Sequence, residues 1–142
     1  MATVSDVLAG KPRALYAIDP DDPVFEAIQL MAEHGIGALL VMKGGELQGI
    51  LSERDYARKV ILLGRSSNDT PVWQIMSAPV LTVEPSSTVE HCMQLMTDRR
   101  VRHLPVVEDG KVVGMLSIGD LVRVLLESQR RQISDLEQYI RS

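Results

Sequence analysis

Apolar and polar positions along this chain predict the order strand, helix, strand, turn, strand, helix, and they predict it twice. In the first half, residues 14–18 form a short apolar run ending at Asp19-Pro20, where a strand should stop. Asp22 then stands as a helix N-cap with Pro23 in the first helical position. Val24, Ala27, Ile28, Met31 and Ala32 recur at helical spacing, and His34-Gly35 closes that helix. Residues 38–42 and 47–51 read as strands joined by the hairpin chemistry of Lys43-Gly44-Gly45-Glu46. A second helix starts at Ser52 and runs through Ile61 towards Gly64.

The second half predicts the same elements: a strand over 80–83, a helix, and strands over 103–107 and 112–116 flanking Glu108-Asp109-Gly110-Lys111. Its first helix is expected to be capped by Ser87, with Glu90 completing a capping box. Short lead helices, 4–8 and 72–76, precede the two halves, and 65–70 is a polar linker. Shifted by 65 residues, 17–61 lies over 82–126 without a gap. The identities include Pro20/Pro85, Val24/Val89, Met31/Met96, Gly49/Gly114, Ser52/Ser117 and Asp55/Asp120. The chain is therefore a duplicated small domain. Its last helix outruns its twin through Ile133, Leu136 and Ile140. Val122, Leu126 and those three residues form an apolar stripe interrupted by Gln129, either packed on its own body or offered to a second chain.

At 142 residues, each half alone would have a marginal core. The composition, 45% hydrophobic and 24% charged, suits a soluble domain. A net charge of −4 argues against binding nucleic acid or an anionic membrane through a broad basic field. Cys92 is the single cysteine, so no intramolecular disulfide forms. The chain has neither a signal-like start nor an apolar run long enough to span a membrane, and a cytoplasmic location is expected.

The repeated segment Gly-apolar-Leu-Ser-x-x-Asp carries the most chemistry: 49–55 and 114–120. It sets a strand end, a hydroxyl, a helix N-terminus and a carboxylate in succession. Helix-start N–H groups and the hydroxyl suit a phosphate, and the carboxylate could accept from vicinal sugar hydroxyls. The same residues are also a plausible helix cap with no ligand at all. Arg99, Arg100, Arg102 and His103 form a local basic cluster, part of which reads as a solvated helix end. Glu53-Arg54-Asp55 and Arg58-Lys59 read as i,i+4 surface charge pairs, as in Glu53 with Arg58 nearby. His34 and His91 have no second ligand at metal spacing, so no metal site is expected. Cys92 reads as a buried thiol.

Both halves resemble the CBS domain, named after cystathionine beta-synthase. Over residues 4–127 the chain resembles a free-standing CBS pair, or Bateman module. The resemblance rests on Ile75-Met76-Ser77, Val83-x-Pro85, the run Arg102-His103-Leu104-Pro105-Val106-Val107, and the two Gly-x-x-Ser-x-x-Asp segments. It implies an α/β (α+β) fold, a tandem of two β-α-β-β-α domains packed about a pseudo-twofold axis. The expected boundaries are 4–62 and 72–127, with a linker over 63–71 and a helical extension over 128–142.

The resemblance further implies an adenosine-containing ligand, AMP, ADP, ATP, NAD or S-adenosylmethionine, in clefts between the repeats. By that likeness Asp55 and Asp120 bind ribose, while Ser52, Arg54, Ser117, Arg102 and His103 face phosphate. Ile18, Ile36, Val83 and Val101 would wall the adenine. Gly37 and Ala38 stand where the second half has Arg102 and His103, so two sites of unequal affinity or phosphate number are expected. The implied function is a regulatory sensor, not an enzyme, that forms a homodimer and signals to a regulated protein. The alternative is a structural dimerisation or scaffold module in which the Ser and Asp residues only cap helices.

Overall fold

A computed structural model describes residues 1–12 and 14–141, which gather into two compact units. One comprises residues 14–81; the other joins the start of the chain to everything from residue 82 onward. Each sheet-bearing half is thus completed by the lead segment that precedes the other half in sequence.

In the unit of residues 14–81, β1 (Ala17–Ile18) pairs in parallel with β2 (Ala38–Lys43), and β2 pairs antiparallel with β3 (Glu46–Ser52). Helix α2 (Val24–His34) buries Val24, Ala27 and Met31 against Leu39, Val41 and Leu51. A short helix α3 (Glu53–Tyr56) passes into a π-helical turn, Ala57–Ile61, whose Val60 reaches the same core. The lead segment here is a single 3₁₀ turn, Val72–Gln74, rather than the helix over 72–76 that the sequence suggests. Val72 and Ile75 are fully buried, so it still anchors the core.

The other unit contains α1 (Val4–Ala9), α4 (Val89–Arg99), the antiparallel pair β4 (His103–Glu108) and β5 (Lys111–Ser117), and α5 (Ile118–Arg141). Val4, Val7, Val83, Val89, Cys92, Met96, Leu104, Val106, Leu116 and Leu121 are its buried apolar residues. Burial raises the Cys92 thiol pKa, consistent with a packing role.

Three local expectations are corrected. The strand expected over 80–83 reduces to one parallel bridge, Val83 to Val106. In the first unit the Leu40 N–H donates to the Tyr16 carbonyl at 3.1 Å. Pro105 occupies the matching position and has no N–H to give. Asp22 is not the cap of α2, which starts one residue later with Pro23 in extended conformation at the N-cap. The Val24 and Phe25 N–H groups bond the carbonyls of Thr70 and Ser67 at 2.8 and 2.9 Å, so the backbone of the 63–71 stretch does the capping. Ser87 does not form a capping box with Glu90: its hydroxyl accepts from the Glu84 N–H, and Thr88 caps α4 by accepting from the His91 N–H.

The lead segments are tied down identically. Val72 and Trp73 donate to Asp22 and Pro20 carbonyls, and Val4 and Ser5 donate to those of Ser87 and Pro85, all at 2.8–3.0 Å. Beyond residue 125, α5 is exposed along its whole length to Arg141, so its stripe is not packed on its own body. Among the described residues, no helix is long and apolar enough to cross a membrane.

Candidate functional site

Each Gly-x-x-Ser-x-x-Asp segment bends from the last strand of its sheet into the following helix. The glycine is set by packing. A Cβ at Gly49 would lie 2.7 Å from the Met76 sulfur and 3.0 Å from the Ser77 carbonyl oxygen. One at Gly114 would lie 2.7 Å from Leu8 Cδ2. The lead segments press on these strands, and only a residue without a side chain leaves them room.

Ser and Asp then lock together. Ser52 Oγ accepts from the Asp55 N–H at 3.1 Å, and Asp55 Oδ2 accepts from the Ser52 N–H and hydroxyl, each at 3.0 Å. In the other unit, the Asp120 N–H donates to Ser117 Oγ at 3.2 Å, and the Ser117 N–H donates to Asp120 Oδ2 at 2.9 Å. The first helical N–H is also satisfied: Glu53 donates to the Gly37 carbonyl and Ile118 to that of Arg102, at 3.0 and 2.9 Å. Both boxes are therefore complete helix caps.

The remaining donors differ. Asp55 Oδ1 accepts from the Ser77 hydroxyl at 3.1 Å and pairs with Lys59 at 3.2 Å. This is an i,i+4 pair of the kind expected of the segment, made by Lys59 with Asp55. Asp120 Oδ2 instead receives Lys11 Nζ at 2.7 Å, and Oδ1 receives Arg123 at 3.1 Å. Lys11 Nζ also donates to the Met115 carbonyl at 2.7 Å. Lys11 and Ser77 each follow a lead segment and each bond the aspartate of their unit, although Ser77 corresponds in position to Ala9. Neither was singled out from the sequence as a partner. Lys11 and Asp120 lie 109 residues apart, and no spacing rule connects them.

Electrostatics follow from this arrangement. Burial tends to raise the Asp120 pKa, but the Lys11 ammonium and the Ser117 hydrogen bonds outweigh it and hold the carboxyl below its usual value. His103 is lowered chiefly by burial; Lys11 and Arg102 reinforce the shift and Asp120 opposes it. Lys11, Arg102, His103 and Asp120 thus form one electrostatic group within this unit.

The other expected residues divide by burial. Ile18 is buried at the end of β1, Val83 is buried at its single bridge to Val106, and Ile36 and Val101 are half-buried just before β2 and β4. Arg54 is half-buried and Arg102 exposed. Arg100, one of the basic cluster, is an exposed left-handed cap of α4. His34 stacks on Tyr16 with ring centroids 4.0 Å apart.

Comparison with known proteins fits this anatomy. The CBS domain family model matches residues 4–61 and 72–127. The Arabidopsis thaliana protein CBSX3, named mitochondrial, is 44% identical over 97% of this chain and 71% of its own length. The structure of a protein with CBS domains from Burkholderia ambifaria matches with a TM-score of 0.87 and 52% identity, covering 90% of this chain and 96% of that one. The CBS domain pair of protein MJ0100, solved with 5′-methylthioadenosine and S-adenosyl-L-methionine, has the same fold at a TM-score of 0.80. It is 23% identical, over 90% of this chain and 98% of that one.

Proposed function

The chain belongs to the CBS-domain family, and from that premise we propose that it is a regulatory sensor of an adenosine-containing ligand. The observation that supports this most is the duplicated Ser/Asp box. In each unit a carboxylate is fixed at a strand–helix junction in a similar Ser/Asp box, and buried or half-buried apolar residues stand just before the preceding hairpin. A ribose bound through vicinal hydroxyls needs such an oriented acceptor. The MJ0100 pair is a precedent for adenosine ligands on this fold, and for the fold alone.

In this reading Asp55 and Asp120 accept from ribose, Ser52 and Ser117 lie on the phosphate side, and Ile18, Ile36, Val83 and Val101 flank adenine. The two sites are unequal. Lys11, Arg102 and His103 lie about Asp120, whereas Gly37 and Ala38 stand where the second half has Arg102 and His103. A ligand carrying several phosphates therefore favours the Asp120 site, with Arg54 the cation nearest in sequence to the Asp55 site. Ligand binding shifts the population of two arrangements of the protein, and a partner protein reads that shift. The protein acts as a cytoplasmic homodimer and carries out no chemistry of its own.

One observation favours the scaffold reading instead. A carboxylate offers about four lone-pair positions, and Asp55 already meets four donors, from the Ser52 N–H, the Ser52 hydroxyl, Ser77 and Lys59. Ribose must displace one of them.

Thermal unfolding of ligand-stripped protein against AMP, ADP, ATP, NAD⁺, NADH and S-adenosylmethionine separates the readings. At 100 times its dissociation constant, a ligand adds about 2.7 kcal/mol per site, a rise of several degrees. The rise should vanish in the Asp55→Asn/Asp120→Asn variant. No rise with any of the six at millimolar concentration leaves the scaffold.

A further inference from the structure

We propose that Lys11 is a specificity-determining residue of the Asp120 site, a tethered ammonium that occupies the ribose position and yields it only to a phosphorylated nucleoside. The role rests on the reading of Asp120 as a ribose acceptor and adds which ligands that acceptor turns away.

Lys11 is held in place by the turn that closes α1. Its N–H donates to the Leu8 carbonyl at 3.3 Å, and the Gly10 N–H donates to that of Val7 at 3.2 Å. Val4 and Val7 anchor the helix behind it in the core. The Lys11 side chain is 26% exposed, against 57% for Arg123, the other cation on Asp120. Its Nζ donates to Asp120 Oδ2 and to the Met115 carbonyl, both at 2.7 Å.

The acceptor positions of Asp120 make that ammonium an obstacle. Each oxygen of a carboxylate accepts about two hydrogen bonds. Oδ2 is filled, by the Ser117 N–H at 2.9 Å and by Lys11, while Oδ1 keeps a position beside Arg123 at 3.1 Å. Vicinal hydroxyls that span both oxygens therefore need a donor to leave Oδ2. The Ser117 N–H belongs to the backbone of the helix cap, so Lys11 is the donor that can go.

Once displaced, the half-buried ammonium keeps only a neutral partner, the Met115 carbonyl. An uncharged nucleoside leaves it without a counter-ion, which is costly away from bulk water. A phosphate on the same sugar replaces the carboxylate it has lost. Exchange of one anion for another is nearly neutral; loss without replacement is not. The other unit discriminates less, because Lys59 on Asp55 is 41% exposed and hydrates when displaced.

Calorimetric titration of the full chain carrying Asp55→Asn, in which only the Asp120 site is intact, compares adenosine with AMP. These ligands differ by the phosphate alone. Adding Lys11→Met should tighten adenosine about tenfold, the size of one hydrogen bond to a charged group, and leave AMP within about twofold. A loss of stability common to both ligands cancels in the ratio of the two dissociation constants. Lys11→Gln, which keeps a neutral donor, should shift that ratio in the same direction and serves if Lys11→Met does not fold. An unchanged ratio overturns the role of Lys11 while the sensor reading stands. Weaker AMP with unchanged adenosine also overturns it, since Lys11 is then an ordinary phosphate contact. If neither ligand binds with or without Lys11 at millimolar concentration, the sensor reading of this site fails and the role of Lys11 falls with it.

Discussion

The two aspartates at equivalent positions of the repeat sit in the same cap yet answer to different surroundings. Asp55 is held by neighbours from its own stretch of chain: Ser52, Lys59 and, a little further on, Ser77. Asp120 is held across 109 residues by Lys11, beside which Arg102 and His103 also act. Its side chain is 9% exposed, against 12% for Asp55, and the Lys11 side chain is 26% exposed against 41% for Lys59. Duplication copied the local box, and divergence of the surrounding residues gave Asp120 two cationic partners, Lys11 and Arg123, and Asp55 one, Lys59, with the Ser77 hydroxyl. Boxes of one ancestry can thus take different partners without any change in the motif itself.

The largest expected effect exploits that difference. Asp120→Ala strands Lys11 and removes the box, and should cost about 3 kcal/mol. Asp55→Ala leaves a more exposed lysine and should cost about 2 kcal/mol. Chemical denaturation of both variants checks the order, and equal losses would mean that the Lys11 contact adds nothing. Acid sharpens the same contrast. The Asp120 pKa is lower folded than unfolded, so its contribution is present above the ordinary carboxylate range and is lost as pH falls through the folded value. Urea midpoints measured from pH 6 down to pH 3 should therefore decline less steeply in Asp120→Asn than in the wild type.

The glycines give the next contrast. Gly49→Ala meets the Ser77 backbone carbonyl, which cannot step aside, and should cost about 2 kcal/mol. Gly114→Ala meets only the tip of the Leu8 side chain and should cost less than about 1 kcal/mol. The smallest effect comes from the helix ends. Gly35 and Arg100 occupy the same left-handed cap, with φ of 62° and 55°. Arg100→Gly should therefore stabilise the second unit by about 0.5–1 kcal/mol, read from the thermal midpoint.

Sequence periodicity captured nearly every element, because the helical stripes and hairpin turns are local signals. The Ser/Asp boxes were legible for the same reason: all their bonds span three residues. What escaped the sequence is non-local. The exchange of lead segments between halves, the capping of α2 by Thr70 and Ser67 carbonyls, and the Lys11–Asp120 pair depend on chain crossing the fold. The lost strand at 80–83 could have been anticipated, since Pro105 in the neighbouring strand announces a missing donor. The shift of the α4 cap from Ser87 to Thr88 could not, as serine ranks slightly above threonine at the N-cap and capping preference alone selects the wrong hydroxyl.

Calorimetric titration of ATP and adenosine into the ligand-stripped wild type, Asp55→Asn and Asp120→Asn separates two unequal ligand sites from two helix caps. Two ATP sites of different affinity are expected in the wild type. Asp120→Asn should lose the tighter, salt-sensitive one together with the preference for ATP over adenosine, and Asp55→Asn the weaker one. Absence of binding at millimolar concentration, or identical isotherms for all three proteins, would contradict it.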